Sequence, residues 1–157
     1  MGISEKAELF IRSVPNTDRA LLAQCYTSPS MSSTEISPLV RDLQAALGAD
    51  RVLHAPEDLL AYEYDASIEH AVPDAVVLPI NTEQVAAAAR IADQYGVAVV
   101  PRGSGTGFAG GALAVQGGVL VVLTAMNQIR EIDVDNRIAV VEPGLINLQL
   151  QDALAPH

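Results

Sequence analysis

The sequence predicts an α+β domain with a βαβ parallel core, a hairpin and flanking helices. Three observations carry the prediction. Residues 75–79, Ala-Val-Val-Leu-Pro, are an apolar run of the kind a sheet buries on both faces. A stretch with helical periodicity follows, and then a second apolar run at residues 97–100. A third run at 118–124 is followed by two shorter ones, 129–133 and 138–142, around the turn-forming pair Asp135 and Asn136.

Residues 1–36 carry weak helical patterning and a Ser/Thr-rich segment at 27–34 with little to bury, so they read as a flexible N-terminal extension. Cys25 falls within it. Residues 37–70 form a helical lead-in. Ser37 followed by Pro38 starts a helix over 38–47 that Gly48 stops. A short strand at 51–53 precedes a second short helix, opened by Pro56, Glu57 and Asp58 and running to Tyr62. Tyr62, Tyr64 and Asp65 leave two readings open: lining a site, or packing at the entry to the next strand, the ordinary role of such residues.

After the strand at 75–79, Asn81 caps a helix and Gln84 is placed to complete a capping box. Val85, Ala88, Ala89, Ala92 and Tyr95 fall on one helical face, and Gly96 ends the helix. Strand, helix and strand in this order form a right-handed crossover, so the two strands run parallel. The hairpin leads into a turn at Glu142, Pro143 and Gly144, and a last helix starts near Asn147.

Composition narrows the function. The 157 residues suggest one domain, and 50% hydrophobic content is enough for a sizeable core. A net charge of -10 repels a phosphate backbone, which argues against nucleic acid as a partner. One cysteine allows no intrachain disulfide and points to a reducing compartment, the cytoplasm. Arg12, Asp18 and Arg19 break any secretory apolar core, and no run approaches the roughly 18 apolar residues of a membrane span. His54, His70 and His157 show no metal-ligand spacing, and no Gly-x-Ser-x-Gly elbow suggests a hydrolase.

The chemistry concentrates at VVPRGSGTGFAGG, residues 99–111, where a strand-like run breaks into five glycines. Successive N–H groups of such a loop can point into one concavity and bind a phosphate or pyrophosphate. Arg102 supplies its one full positive charge. Gly105, Gly107 and Gly110 satisfy G-x-G-x-x-G in form, but that fingerprint requires a helix directly afterwards, and residues 111–118 are too short and glycine-bounded to provide one. A P-loop is excluded because Gly111 and Ala112 stand where Lys and Ser or Thr are needed. The loop leaves the carboxyl end of a parallel strand, where such sheets bind ligands.

The stretch resembles the pyrophosphate-binding loop of the FAD-linked oxidases of the vanillyl-alcohol oxidase and para-cresol methylhydroxylase type, including glycolate oxidase FAD-binding subunits and D-lactate dehydrogenases. The likeness runs from residues 39–43 through 61–65, the loop, 126–129 and 141–144 to the C-terminus. It implies that residues 71–157 are the N-terminal part of an FAD-binding PCMH-type domain, incomplete at the C-terminus, with the substrate domain still to follow. It implies FAD as cofactor, bound by Arg102, Gly103, Ser104, Gly105, Thr106, Gly107, Gly110 and Gly111, with Pro79 also among the cofactor-binding positions. Pro143 and Gly144 match a turn that lies close to the flavin. Thr106 stands where relatives that tether FAD at this loop carry a histidine, so the resemblance implies non-covalent binding. Two functions follow as expectations. One is a part of a flavin-dependent oxidoreductase acting on a 2-hydroxy acid such as glycolate or D-lactate, with other oxidase subunits as partners. The other is a non-catalytic flavin- or phosphate-binding module that serves in assembly.

Overall fold

The computed structural model describes residues 36–156. Expectations for the N-terminal extension, Cys25 and His157 fall outside them, Ile36 apart.

Helix α1, Pro38–Leu47, begins where the Ser37 hydroxyl accepts the Val40 N–H at 3.2 Å and ends at Gly48, whose N–H donates to the Gln44 carbonyl. A 3₁₀ turn at Ala49–Arg51 leads to β1, Val52–Leu53. Helix α2, Pro56–Leu59, tightens into a 3₁₀ turn at Leu60–Tyr62. Strand β2 is Ala75–Val77, and helix α3 is Thr82–Gln94. Asn81 accepts the Gln84 N–H at 2.9 Å, and the Gln84 side chain accepts from the Ile80 N–H. Beyond α3, the Gly96 N–H donates to the Asp93 carbonyl and the Val97 N–H to the Ala92 carbonyl, a Schellman closure.

That closure accounts for a difference in β3, which covers Val99–Arg102 rather than 97–100. Val97 is committed to capping the helix and cannot join the sheet. The buried helical face also differs from expectation. Ala88 and Ala92 are buried with Val85 and Ile91 packed beside them, whereas Ala89 is exposed and Tyr95 points outward to donate to Asp42 at 2.6 Å.

Strand β4, Val119–Val122, lies between β2 and β3 in a sheet of order β1-β2-β4-β3. Both neighbours run parallel to β4, and β1 pairs antiparallel with β2 at the far edge. The physical reason for this order is in the side chains. All four residues of β4 are buried, as a central strand requires, while β3 carries Pro101 and an exposed Val99, which suit an edge. Strand alternation splits the core between the two faces. Ala75, Val77, Val119 and Val121 pack with α1 and α3, and Val76, Leu120 and Val122 pack with Leu59 and Tyr62.

Strands β5, Ile129–Asp133, and β6, Ile138–Val141, form a separate two-stranded antiparallel sheet, followed by α4, Asn147–Leu154. Asp133 accepts the Asn136 N–H at 2.9 Å, and Arg137 closes the turn at φ +57°. An L-residue there is strained by about 1–2 kcal/mol. Arg137→Gly is therefore expected to raise stability by a few tenths to about 1 kcal/mol, read from the denaturation midpoint. Among the described residues no helix is long and apolar enough to cross a membrane.

Candidate functional site

Three parallel strands present their carboxyl ends at one edge. The register pairs Val77 with Val121 and Arg102 with Val122, so the chain leaves β2, β4 and β3 at neighbouring points. The Leu123 N–H donates to the Arg102 carbonyl at 2.9 Å and carries the pairing one step past the strands.

The Gly-rich loop rises from β3 at this edge. No helix follows Gly110; residues 111–113 only turn, and the Leu113 N–H donates back to the Gly110 carbonyl at 3.2 Å. Among the described residues, no backbone N–H from Gly103 through Gly111 has a protein acceptor. Gly103, Ser104, Thr106, Gly107 and Gly111 are exposed, and Gly105 and Gly110 are half-buried. A row of donors without internal partners suits an anion. Gly103, Gly107 and Gly111 have no positive φ, and a Cβ on any of them would meet nothing of this chain within 4 Å. Nothing internal demands glycine at those three positions, whereas a ligand lying against the backbone would. The loop thus fits a diphosphate.

Gly105 has an internal reason. Its φ is +71°, and a Cβ there would lie 2.5 Å from Cζ of Arg102. Arg102, the loop's one positive charge, is turned in toward the protein. It is only 7% exposed; its guanidinium lies against Gly105, donates to the Ala112 carbonyl at 3.4 Å, and stands 5.8 Å from the Tyr62 ring centroid. Pro79 is fully buried, so it shapes the strand edge from beneath and offers no surface.

The turn at Pro143 and Gly144 sits at the same edge. The Gly144 N–H donates to the Met126 carbonyl at 2.8 Å, and its Cα packs against the Leu123 carbonyl. Pro143 is exposed and Gly144 half-buried. The structure therefore brings the root of the loop and this turn beside the residues that follow β4.

Two buried acids lie at the roots of these parts. Asp65, 7% exposed, accepts the Ser67 N–H at 2.7 Å, and the next residue, Ala66, donates its N–H to the Gly107 carbonyl at 3.2 Å. Of the two readings of the Tyr62 to Asp65 segment, the packing one describes Tyr62 and Asp65, which support the loop, while Tyr64 is half exposed beside His70. The only sequence signal was the spacing of Asp65 and Ser67, which is that of a side chain capping its own turn.

Glu142 is the second acid. Buried at the root of the turn, it accepts the Gln128 N–H at 2.8 Å and a hydrogen bond from Arg130. The Gln128 N–H, with Arg130 adding to it against burial, holds the Glu142 carboxyl below its ordinary value of 4.5. A lowered folded value means the contribution is complete above about pH 4.5 and is lost as pH falls through the folded value. Glu142→Gln should then lower the melting temperature at neutral pH and lose less than the parent on acidification, a difference visible in paired melts from pH 7 to pH 3. Among the described residues no group of three His, Cys, Asp or Glu could hold a metal ion, and His70 stands 3.6 Å from Glu63 on an exposed segment.

The comparisons with known proteins agree with this geometry. A family model described as an FAD binding domain matches residues 73–157. The glycolate oxidase subunit GlcD of Escherichia coli strain K12 is 38% identical over 130 residues, 82% of this chain and 26% of that protein. A D-lactate dehydrogenase of Archaeoglobus fulgidus is 35% identical over 102 residues, 62% of this chain and 23% of that one. The chain therefore spans about a quarter of the length of these relatives. Among solved structures, p-cresol methylhydroxylase with substrate bound superposes with a TM-score of 0.63 at 28% identity, over 75% of this chain and 24% of that one. With an anion-ready loop at the carboxyl edge of a parallel sheet and a family match over 85 of 157 residues, this chain belongs to the FAD binding domain family.

Proposed function

We propose that this chain is the N-terminal part of a flavin-dependent oxidoreductase that oxidises a 2-hydroxy acid such as glycolate or D-lactate. One observation carries the reading: the row of N–H groups from Gly103 to Gly111 without acceptors among the described residues, at the strand edge where a parallel sheet binds ligands. Those amides would hold the diphosphate of FAD, the Ser104 and Thr106 hydroxyls are exposed beside them, and Pro143 and Gly144 would border the cofactor from across the edge. When bound, the flavin supplies the two-electron acceptor for oxidation of the hydroxyl carbon. The residues of this chain bind and orient it, and the rest of the polypeptide would supply the substrate contacts. The similarity to a glycolate oxidase subunit supports a role within a larger oxidase, and the single cysteine supports a cytoplasmic setting.

The test is dye reduction by the flavin-loaded full-length polypeptide, of which this chain is read as the N-terminal part. Reduction that requires glycolate or D-lactate supports the oxidoreductase. A folded protein that binds flavin yet reduces no dye with either acid supports the assembly module instead.

The flavin is held non-covalently in this reading, because Thr106 offers no nucleophile of the kind that tethers the ring at this loop. Acid precipitation should release all the yellow colour to the supernatant. Colour retained in the pellet after denaturation would contradict it.

A further inference from the structure

One backbone hydrogen bond joins the middle of the Gly-rich loop to a distant part of the chain. Among the described residues, the backbone of residues 103–111 accepts from Leu113 at Gly110, within the turn that follows, and from Ala66 at Gly107, at 3.2 Å. The Ala66 N–H is held in place for that bond by its neighbours. Asp65, buried, accepts the Ser67 N–H through Oδ1 at 2.7 Å, so its side chain closes a turn of which Ala66 is the middle residue. The segment around this turn is closed as well: the Ala71 N–H donates to the Glu63 carbonyl at 2.7 Å, and Tyr64 and His70 form an antiparallel bridge. Residues 63–71 are thus a small loop tied at its base, and the Asp65 turn is where it grips the Gly-rich loop.

We infer that Asp65 is a positioning residue for the diphosphate loop: by capping its own turn it holds the Ala66 N–H against the Gly107 carbonyl and so fixes the direction of a loop amide. The diphosphate as ligand rests on the FAD reading, whereas the brace is a property of this chain's own backbone. The link from carbonyl to amide is the planar trans peptide between Gly107 and Phe108, in which C=O and N–H point in opposite directions. A carbonyl held toward Ala66 therefore turns the Phe108 N–H to the other side of the loop, away from the body of the protein. Without the acceptor at residue 65, the Ser67 N–H is released, the Ala66 N–H loses its fixed direction, and the Gly107–Phe108 peptide is free to rotate. Gly107 has no Cβ to resist that rotation.

The role asks for an acceptor and not for a charge, which a conservative variant separates. Asp65→Ala is expected to weaken FAD binding by about tenfold, as the loss of a fixed hydrogen bond does. Asp65→Asn is expected to stay within about twofold of the parent, because its carbonyl oxygen accepts the same N–H. Its amide takes the place of Oδ2, which has no partner among the described residues, so no bond is broken there. Riboflavin, which lacks the diphosphate, should bind both variants as it binds the parent. Affinities are measured by flavin fluorescence on the full-length polypeptide, verified as folded. A second readout needs no flavin: ¹⁵N order parameters for residues 103–111 should fall in Asp65→Ala from the rigid value of about 0.85 toward about 0.6, and keep the parent value in Asp65→Asn. Should Asp65→Ala not fold, Asp65→Ser decides, since a hydroxyl caps such a turn more weakly and gives an intermediate loss. Unchanged or tighter FAD binding by Asp65→Ala, an equal loss in Asp65→Asn, an equal loss for riboflavin, or a loop as rigid in Asp65→Ala as in the parent overturns the brace. A parent protein that binds no FAD refutes the cofactor reading instead, and the order parameters then still decide the brace.

Discussion

Gly105→Val is expected to abolish flavin binding while the sheet stays folded. Gly105 sits at φ +71°, where a β-branched residue costs about 1–2 kcal/mol or more. Its side chain would also overlap the Arg102 guanidinium, which is boxed in by Tyr62 and the Ala112 carbonyl. Overpacking of that kind costs about 1–3 kcal/mol. The loop lies outside the strands and is largely exposed, so the chain relieves the strain by moving the loop. A displaced amide row no longer converges on an anion, and misplacement by about 1 Å is enough to cost roughly a hundredfold. Flavin affinity should therefore fall by at least about a hundredfold, with a small change in melting temperature. Unchanged affinity would remove this loop from the site.

Gly144→Ala is expected to have the larger effect on stability. A Cβ at Gly144 would overlap the Leu123 carbonyl and lie 2.9 Å from the Met126 carbonyl oxygen. Both obstacles are backbone, so no side-chain rotation relieves them. Relief requires the turn to lift from the end of β4, which breaks the bond from the Gly144 N–H to the Met126 carbonyl and disturbs the Glu142 clasp on Gln128. Overpacking together with a lost hydrogen bond amounts to roughly 3 kcal/mol. For a domain of this size that is roughly 10–20 °C in melting temperature, measurable by circular dichroism. A melting temperature within a degree or two of the parent would show that the turn is not docked there.

The elements that were legible in the sequence are those whose signals are local. Ser37 with Pro38, Asn81 with Gln84, and Gly96 gave the helix ends because capping is settled within four residues. The apolar runs gave the strands, and the loop stood out because it is dense in glycine. Features set by distant partners were less legible. The position of β4 between β2 and β3 depends on which strand can be buried on both faces, and the offset of β3 depends on a helix closure that claims Val97. The inward turn of Arg102 was hidden for the same reason: it depends on Tyr62, forty residues earlier in the chain, and on the missing side chain of Gly105. Asp65 and Glu142 are ordinary acids in sequence and become supports of the site only once the fold buries them. Fold class and family were thus open to a reader of the sequence, and the scaffold beneath the loop was not.

In the proposed function the amides of residues 103–111 receive the diphosphate of FAD. Backbone amide shifts of the ¹⁵N-labelled protein, followed during titration with FAD and separately with riboflavin, which lacks the diphosphate, test it most directly. FAD is expected to move the resonances of Gly103 to Gly111, and riboflavin at equal concentration to leave them in place. Shifts confined to other residues, or the same loop shifts with riboflavin, would contradict it.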